Sequence, residues 1–323
     1  MRARMLGRAP RFGDRAAMAT IDLSPHSVAT LGQGTTAPLV VGAVPNGVRP
    51  WALDLSVGVI ADQRHEGCGV TCEGCCEQLV VMLPYRGHFS FHVGREEIVG
   101  DPNQVVLLAR DDDYRMSSPL SSGHAELVIR PHGPVLADLL ESSSRHILTQ
   151  ASFRSGSRRA SVRLQTVRAR FLHWACRAAP VDQLEADELL IDLLTAALDT
   201  DEPPRTAYGP HTARLIRRAK EFLEAELSGP IRLKDVGEAV GASPTYLTDL
   251  FRRIEGVPLH QYLTHLRLAR ALIELPHADD LTGLAFDLGF SSHAHFTAAF
   301  RRRFDCTPSQ FRQTTRVAAA GRV

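Results

Sequence analysis

Two stretches of this 323-residue chain decide its reading: LKDVGEAVGASPTYLTDLFRRIE at residues 233–255 and LTGLAFDLGFSSHAHFTAAFRRRF at residues 281–304. At an offset of 48, Leu233-x-x-Val236-x-x-x-Val240-Gly241-Ala242-Ser243 parallels Leu281-x-x-Leu284-x-x-x-Leu288-Gly289-Phe290-Ser291. From Leu247 onward the offset is 49, so that Thr248-x-x-Phe251-Arg252-Arg253 parallels Thr297-x-x-Phe300-Arg301-Arg302. The second copy carries one extra residue in its turn. An internal repeat of this length is one structural unit used twice. Each copy reads as a short helix, a glycine turn and a second helix. Gly241 and Gly289 end the first helix, because only glycine reverses the chain there without strain. Ser243 and Ser292 cap the second helix, and Pro244 occupies a first turn, where its missing amide hydrogen is not needed.

Helical spacing buries Leu247, Leu250, Phe251 and Ile254 in one copy and Phe296, Ala299, Phe300 and Phe304 in the other. Thr245, Thr248, Asp249, Arg252 and Arg253 are left outward in the first, and His293, Ala294, His295, Thr297, Ala298, Arg301 and Arg302 in the second; the candidate DNA contacts are Thr245, Tyr246, Thr248, Arg252, Arg253, His293, His295, Thr297, Arg301 and Arg302. Small polar groups at the start of a helix, with arginines a turn or two later, suit base edges and phosphates respectively. Between the copies, residues 258–275 carry an apolar helical stripe through Leu259, Tyr262, Leu263, Leu266, Leu268, Ala269, Leu272 and Ile273. A helix of this length, about 25 Å, would hold the two units in fixed register, suited to successive major grooves of a duplex.

Upstream, residues 51–60, 77–84, 88–93, 104–109, 114–118 and 124–130 alternate or run apolar between turn residues, roughly ten residues apart. This spacing predicts an antiparallel barrel or sandwich. In 88–93 the Phe89, Phe91 and Val93 face reads as core, with His88, Ser90 and His92 facing solvent or a cavity. From residue 161 the period becomes helical, in two stretches separated at Pro180. The second offers Leu184, Ile191, Leu194 and Leu198 as a stripe for a dimer seam or for packing on its own barrel. Residues 32–50 and 199–211 read as lead-in and linker, rich in turn formers.

Apolar residues make up 44% of the chain and charged residues 23%, ordinary values that exclude wholesale disorder. No apolar run reaches the length of a membrane span, and the arginine-rich start lacks the apolar core of a secretory signal, so a cytoplasmic protein is expected. Met18 is an alternative start to Met1. Residues 211–323 hold 16 Lys and Arg against 12 Asp and Glu, whereas the rest is net acidic, which points to a polyanionic partner at the C-terminal end. Four of the six cysteines, Cys68, Cys72, Cys75 and Cys76, fall within nine residues. Clustering of this kind argues against a disulfide scaffold and for a reducing compartment. These thiols could bind a soft metal, form a reversible disulfide or be incidental, and no metal ligand set is assigned to them. Asp111, Asp112 and Asp113 read as a solvated turn.

Residues 212–314 resemble the AraC/XylS transcriptional regulators, a likeness carried by LTGLAFDLGFSSHAHFTAAFRRRFDCTPSQFR with its Ala285, Gly289, Phe290, Phe296, Phe300, Arg301, Phe304, Pro308 and Phe311. The resemblance implies a seven-helix domain with two helix-turn-helix units, recognition helices at residues 244–254 and 292–304, and promoter binding. Members often carry a basic residue where this chain has Asp249 and Ala298, and usually Gly where it has Asp305. The stretch GREEIVGDPNQVVLLARDDDYRMSSP resembles the cupin-like sensor domains attached to many such regulators.

The expected fold class is therefore α+β. A cupin-like antiparallel β-barrel with a helical dimerisation segment is followed by an all-α domain with two helix-turn-helix units. The expected domains are a disordered arm at 1–47, a sensor and dimerisation domain at 48–198, a linker at 199–211, the DNA-binding domain at 212–316 and a tail at 317–323. Expected partners are double-stranded promoter DNA, RNA polymerase if the protein activates, an unidentified small-molecule effector and a second copy of the chain, with no membrane and no cofactor. Candidate effector or thiol-sensing residues are Cys68, Cys72, Cys75, Cys76, His88 and His92. The alternatives are a thiol- or metal-sensing stress regulator and a methyl-accepting DNA-repair regulator, which would need two separated cysteine pairs that this chain lacks. No enzymatic activity is expected. No His-x-His followed by Glu and a later His occurs among the strands, so no cupin metal site is read from the sequence.

Overall fold

The computed structural model describes residues 39–40, 51–67, 69–142, 154–176, 182–199 and 209–320. Most of the expected arm, Cys68 and most of the expected linker lie outside the described residues.

Alternating side chains on short segments give the strands β1 (Leu39–Val40), β2 (Trp51–Asp54), β3 (Gly58–His65), β4 (Gly69–Cys75), β5 (Val80–Gly87), β6 (Phe89–Val93), β7 (Glu96–Gly100), β8 (Gln104–Leu108), β9 (Asp113–Ser118), β10 (His124–Pro131) and β11 (Gly156–Arg159). Each ladder is antiparallel. The expected barrel is not closed. The strands form a seven-stranded sheet in the order β1-β2-β3-β10-β5-β8-β11 and a four-stranded sheet in the order β4-β9-β6-β7. The run 51–60, read as one strand, is a hairpin: Leu55 and Gly58 exchange backbone hydrogen bonds of 3.2 and 3.3 Å, and Ala52 pairs with Ala61. Most of the cysteine segment is a strand, β4, whose glycines interrupt the alternation of side chains.

Period-two patterning explains the two apolar layers of this half. Val80, Met82, Val106, Leu108 and Val128 of the larger sheet meet Phe89, Phe91, Ile98 and Met116 of the smaller one. The opposite face of the larger sheet, with Ile60, Val81, Leu83, Leu107, Leu127 and Ile129, packs on helices. These helices are α1 (Gly133–Ser142), α2 (Val162–Ala175) and α3 (Gln183–Leu198). The Ser161 and Asp182 side chains cap α2 and α3 by accepting from the amides of Leu164 and Glu185. The candidate seam residues divide. Leu194 and Leu198 are buried in the chain's own core, as packing on its own sheets would have them and against their place in a dimer seam, whereas Leu184 and Ile191 are 69% and 40% exposed. One side of the stripe thus belongs to the core that this helix shares with α2 and the larger sheet.

The remaining helices are α4 (Pro210–Ala225), α5 (Leu233–Val240), α6 (Pro244–Glu255), α7 (Leu259–Glu274), α8 (Leu281–Asp287), α9 (His293–Phe304) and α10 (Pro308–Ala320). The last helix continues through Ala320, past the expected start of a tail at 317. Two separate cores lie in this half, and α7 belongs to both. Its Leu259, Tyr262, Leu263 and Leu266 pack with α4, α5 and α6. Its Leu268, Ala271 and Leu272 pack with α8, α9 and Phe311.

The sheets and the helical half meet in a buried polar seam. Lys220 Nζ of α4 lies 3.2 Å from Asp101 Oδ2 and 2.9 Å from Glu255 Oε1. The Tyr262 hydroxyl donates to Asp101 Oδ2 at 2.5 Å, and Gln104 Nε2 donates to Glu255 Oε2 at 3.1 Å. The Gly87 amide donates to Glu224 Oε1 at 3.1 Å. Removing one member of such a pair leaves its partners charged and unpaired in a low-dielectric interior. Lys220→Met is therefore expected to lower stability by about 3–5 kcal/mol in urea unfolding.

Burial, with the charge of Asp101 adding to it, pushes the Glu224 carboxyl up to about 7 from 4.5. The folded protein thus holds this proton more tightly than the unfolded chain. The stabilisation is fully present below about 4.5 and is lost as the pH rises through about 7. Glu224→Gln keeps an acceptor for Gly87 and abolishes the titration. The wild-type stability minus that of the variant should fall by about 3 kcal/mol between about pH 4 and about pH 8 in thermal or urea unfolding.

Candidate nucleic-acid interface

Two helix pairs, α5–α6 and α8–α9, are built by the same local chemistry. Gly241 ends α5 at φ 77°, and Gly289 follows α8 at φ 79°, the left-handed region where a side chain would be strained. At Gly289 the space is closed as well, since a Cβ would lie 2.7 Å from the Leu227 carbonyl oxygen. Ser243 Oγ accepts from the Tyr246 amide at 3.3 Å, and Ser292 Oγ accepts from the His295 amide at 3.1 Å. Asp305 ends α9 in the left-handed conformation at φ 57°, a region that favours glycine.

Both second helices bury one face and leave the other in solvent. Leu247, Leu250, Phe251 and Ile254 are buried on α6, as are Phe296, Ala299 and Phe300 on α9, with Phe304 half-buried. Thr245, Tyr246, Asp249, Arg252 and Arg253 are exposed on α6. On α9, Ala294, His295, Ala298, Arg301 and Arg302 are exposed and His293 is half-buried. The two threonines are less available than their spacing suggests. Thr248 Oγ1 donates to the Pro244 carbonyl at 2.9 Å, and Thr297 Oγ1 is buried. His295 is held in place, with Nδ1 3.1 Å from Ser291 Oγ and its ring edge-on to Phe290 at 5.4 Å.

Arginines nearby serve a different purpose. Arg267 donates to the carbonyls of Leu227 and Gly229 at 2.9 and 2.7 Å, tying α7 to the turn after α4. Arg303 donates to Gln165 Oε1 of α2 at 3.3 Å. Arg301 and Arg302 therefore face solvent while Arg303, next to them in sequence, joins the two halves of the chain.

Of the candidate sensing residues, Cys75 is exposed on β4 and Cys76 is buried between the sheets. Desolvation, a hydrogen bond to Asp113 and the charges of Asp111 and Asp112 push the Cys75 thiol up, away from the reactive thiolate. Cys68 and the side chain of Cys72 lie outside the described residues. His88 and Ser90, expected to face solvent or a cavity, are buried; burial, with Lys220 and Arg217 adding to it, lowers His88 to about 3. His92 is half-buried, its Nε2 3.3 Å from Ser117 Oγ. Sequence reading missed two features of this half. One is a cleft of about 630 Å³ lined in part by Arg64, Tyr85, Arg86, His173, Arg270 and Glu274, assembled from β3, β5, α2 and α7. The other is the grouping of His65, His124 and Glu126.

Residues 236–314 match the family described as a helix-turn-helix domain. Regulatory protein PocR of Salmonella typhimurium is 32% identical over 115 residues, which are 35% of this chain and 38% of PocR. Regulatory protein SoxS of the same organism is 32% identical over 100 residues, 31% of this chain and 94% of SoxS. A transcriptional regulator from Chromobacterium violaceum with an AraC-type DNA-binding domain matches at 28% identity and a TM-score of 0.31, over 33% of this chain and 96% of that structure. The chain spans less than half the length of PocR and of the transcriptional activator RhaR of Klebsiella pneumoniae, at 38% and 46%.

The caps offer a local check on these helices. Ser243→Ala and Ser292→Ala should each cost about 1 kcal/mol in urea unfolding, with Ser→Gly at either site costing only a few tenths.

Proposed function

The chain belongs to the AraC family of transcriptional regulators, and on that premise we propose that it grips promoter DNA with both helix pairs, each acting as a helix-turn-helix unit. The observation that carries this reading is the duplication itself: two exposed helix faces of matching chemistry, each on its own small core, joined by one rigid helix that is part of both. At 16 residues, α7 is about 24 Å long, a span that suits recognition helices set in neighbouring major grooves about 34 Å apart once their own widths are added. In this reading α6 and α9 are the recognition helices. Thr245, Tyr246, His293 and His295 meet base edges, together with what Thr248 and Thr297 present, while Arg252, Arg253, Arg301 and Arg302 meet phosphates. Asp249 repels the backbone and limits base contacts on its side of α6.

Residues 48–198 act as the cupin-like sensor and dimerisation domain, 199–211 as the linker and 212–316 as the DNA-binding domain. The cleft between β3, β5, α2 and α7 is the place for a small-molecule effector, because a ligand there touches both halves and changes how they fit. Leu184 and Ile191 supply the apolar surface for a second copy. RNA polymerase is the further partner if the protein activates, and its place of action is the cytoplasm.

Fluorescence anisotropy of the full chain with a duplex from upstream of its own gene tests this. Affinity should fall steeply with salt, and Arg301→Ala or Arg302→Ala should each weaken binding across sequences and reduce the salt slope by about 1. His295→Ala should instead relax sequence preference. Wild-type affinity at low salt in a variant with all four arginines changed to alanine would overturn the reading.

A further inference from the structure

Antiparallel pairing places His65 of β3 directly opposite His124 of β10, and Gln63 opposite Glu126. Side chains of positions i and i+2 on one strand share a face, so His124 and Glu126 stand together with His65 beside them. That face is the inner one. Val128, next along it, packs in the core between the two sheets, and the Phe89 ring of the smaller sheet lies 4.7 Å from the His124 ring. The His65 and His124 rings stack at 4.6 Å. Glu126 Oε1 is 3.6 Å from His65 Nε2, and Glu126 Oε2 is 3.5 Å from His124 Nε2. The three candidate ligand atoms all lie within 4.8 Å of one another.

The protein leaves these groups poorly satisfied. His124 and Glu126 are fully buried, and neither ring nitrogen of His124 nor either oxygen of Glu126 has a hydrogen-bond partner among the described residues. A buried carboxylate beside two imidazoles, without good hydrogen bonds, is costly unless a cation completes it. From bond lengths near 2.1 Å in a tetrahedral shell, two donors on one ion stand about 3.4 Å apart, close to the observed contacts to Glu126.

We propose that His65, His124 and Glu126 form a binding site for a divalent first-row transition-metal ion. Two imidazole nitrogens and one carboxylate oxygen, without thiolate, suit zinc, iron(II) or cobalt(II) rather than calcium, magnesium or copper(I). Both ring nitrogens of His124 are buried without a hydrogen-bond partner among the described residues, and an imidazole nitrogen so placed offers its lone pair to a metal. The His65 side chain is 22% exposed, which gives the ion a route in and leaves a coordination position for water or a small ligand. Arg86 is the opposing cation nearby, and Asp62, itself held by Tyr85 and Arg64, adds negative charge. The site lies close to the seam: His124 pairs with Gly87, whose amide donates to Glu224 of α4.

The test uses the full chain without DNA, so its outcome is independent of the promoter reading. Chelator-treated protein is titrated with zinc against a chromophoric competitor, and separately with cobalt(II) under absorption spectroscopy. Expected are one equivalent of metal per chain and a cobalt spectrum with d–d bands but no thiolate-to-metal charge transfer. Glu126→Gln, nearly isosteric, and His65→Ala, at a partly exposed strand end, should each weaken binding more than about tenfold, at least the loss seen when groups supporting a metal ligand are removed. Substitution of Cys68, Cys72, Cys75 and Cys76 by serine should leave both readouts unchanged. No uptake by the wild type, uptake that survives both E126Q and H65A, or a thiolate charge-transfer band would overturn the proposal. The cobalt spectrum of the wild type keeps it falsifiable should either variant fail to fold.

Discussion

Lys220 holds the molecule together at its centre. Its ammonium sits between Asp101, from the sheets, and Glu255, at the end of α6, with the Tyr262 hydroxyl and the Gln104 amide completing the carboxylates. These charges are buried, so removing one member leaves the others unpaired in a low-dielectric interior. Through it the sheets fix the end of α6 and the start of α7, the two points from which the first helix pair takes its direction. Asn103 Nδ2, donating to the Tyr262 carbonyl at 3.3 Å, adds a neutral tie to the same turn of α7.

The second helix pair is fixed from the other end of α7. His173 of α2 lies 2.8 Å from the Leu272 carbonyl through Nε2, Ala169 of α2 enters the core beneath α9, and Arg303 reaches Gln165. The two outward helix faces therefore share one rigid reference, α7, yet each has its own attachment to the upstream half. His173 lines the cleft near Arg64 and Arg270, and His124 of the histidine–glutamate group pairs with Gly87, whose amide donates to Glu224 of α4.

Much of the helical half was legible because its determinants are local. Glycine after a short apolar helix, serine before the next and a Thr-x-x-Phe-Arg-Arg ending specify helix pairs within twenty-odd residues, and the caps at Ser243 and Ser292 form as read. The strands at 104–108, 114–118 and 124–130 were equally plain from alternation. β4 and β7 were not, because glycines and charged residues blur period two at the rim of a small sheet. The Thr248 and Thr297 hydroxyls looked outward by spacing alone, but one bonds its own helix backbone and the other is covered. The stripe of Leu184, Ile191, Leu194 and Leu198 left a seam and the chain's own core both open for a related reason: a helical stripe says that a face is apolar, not which surface covers it.

By itself the sequence determined the duplicated helix pairs, their exposed arginines and the all-antiparallel strand character, since each depends on residues no more than a turn or a hairpin apart. Tertiary structure alone decided that the strands form two open sheets, that Arg303 is structural where Arg301 and Arg302 are not, and that His65 stands opposite His124 and Glu126. These outcomes depend on strand register and on packing between segments far apart in the chain. No local period encodes which distant strand a residue will face.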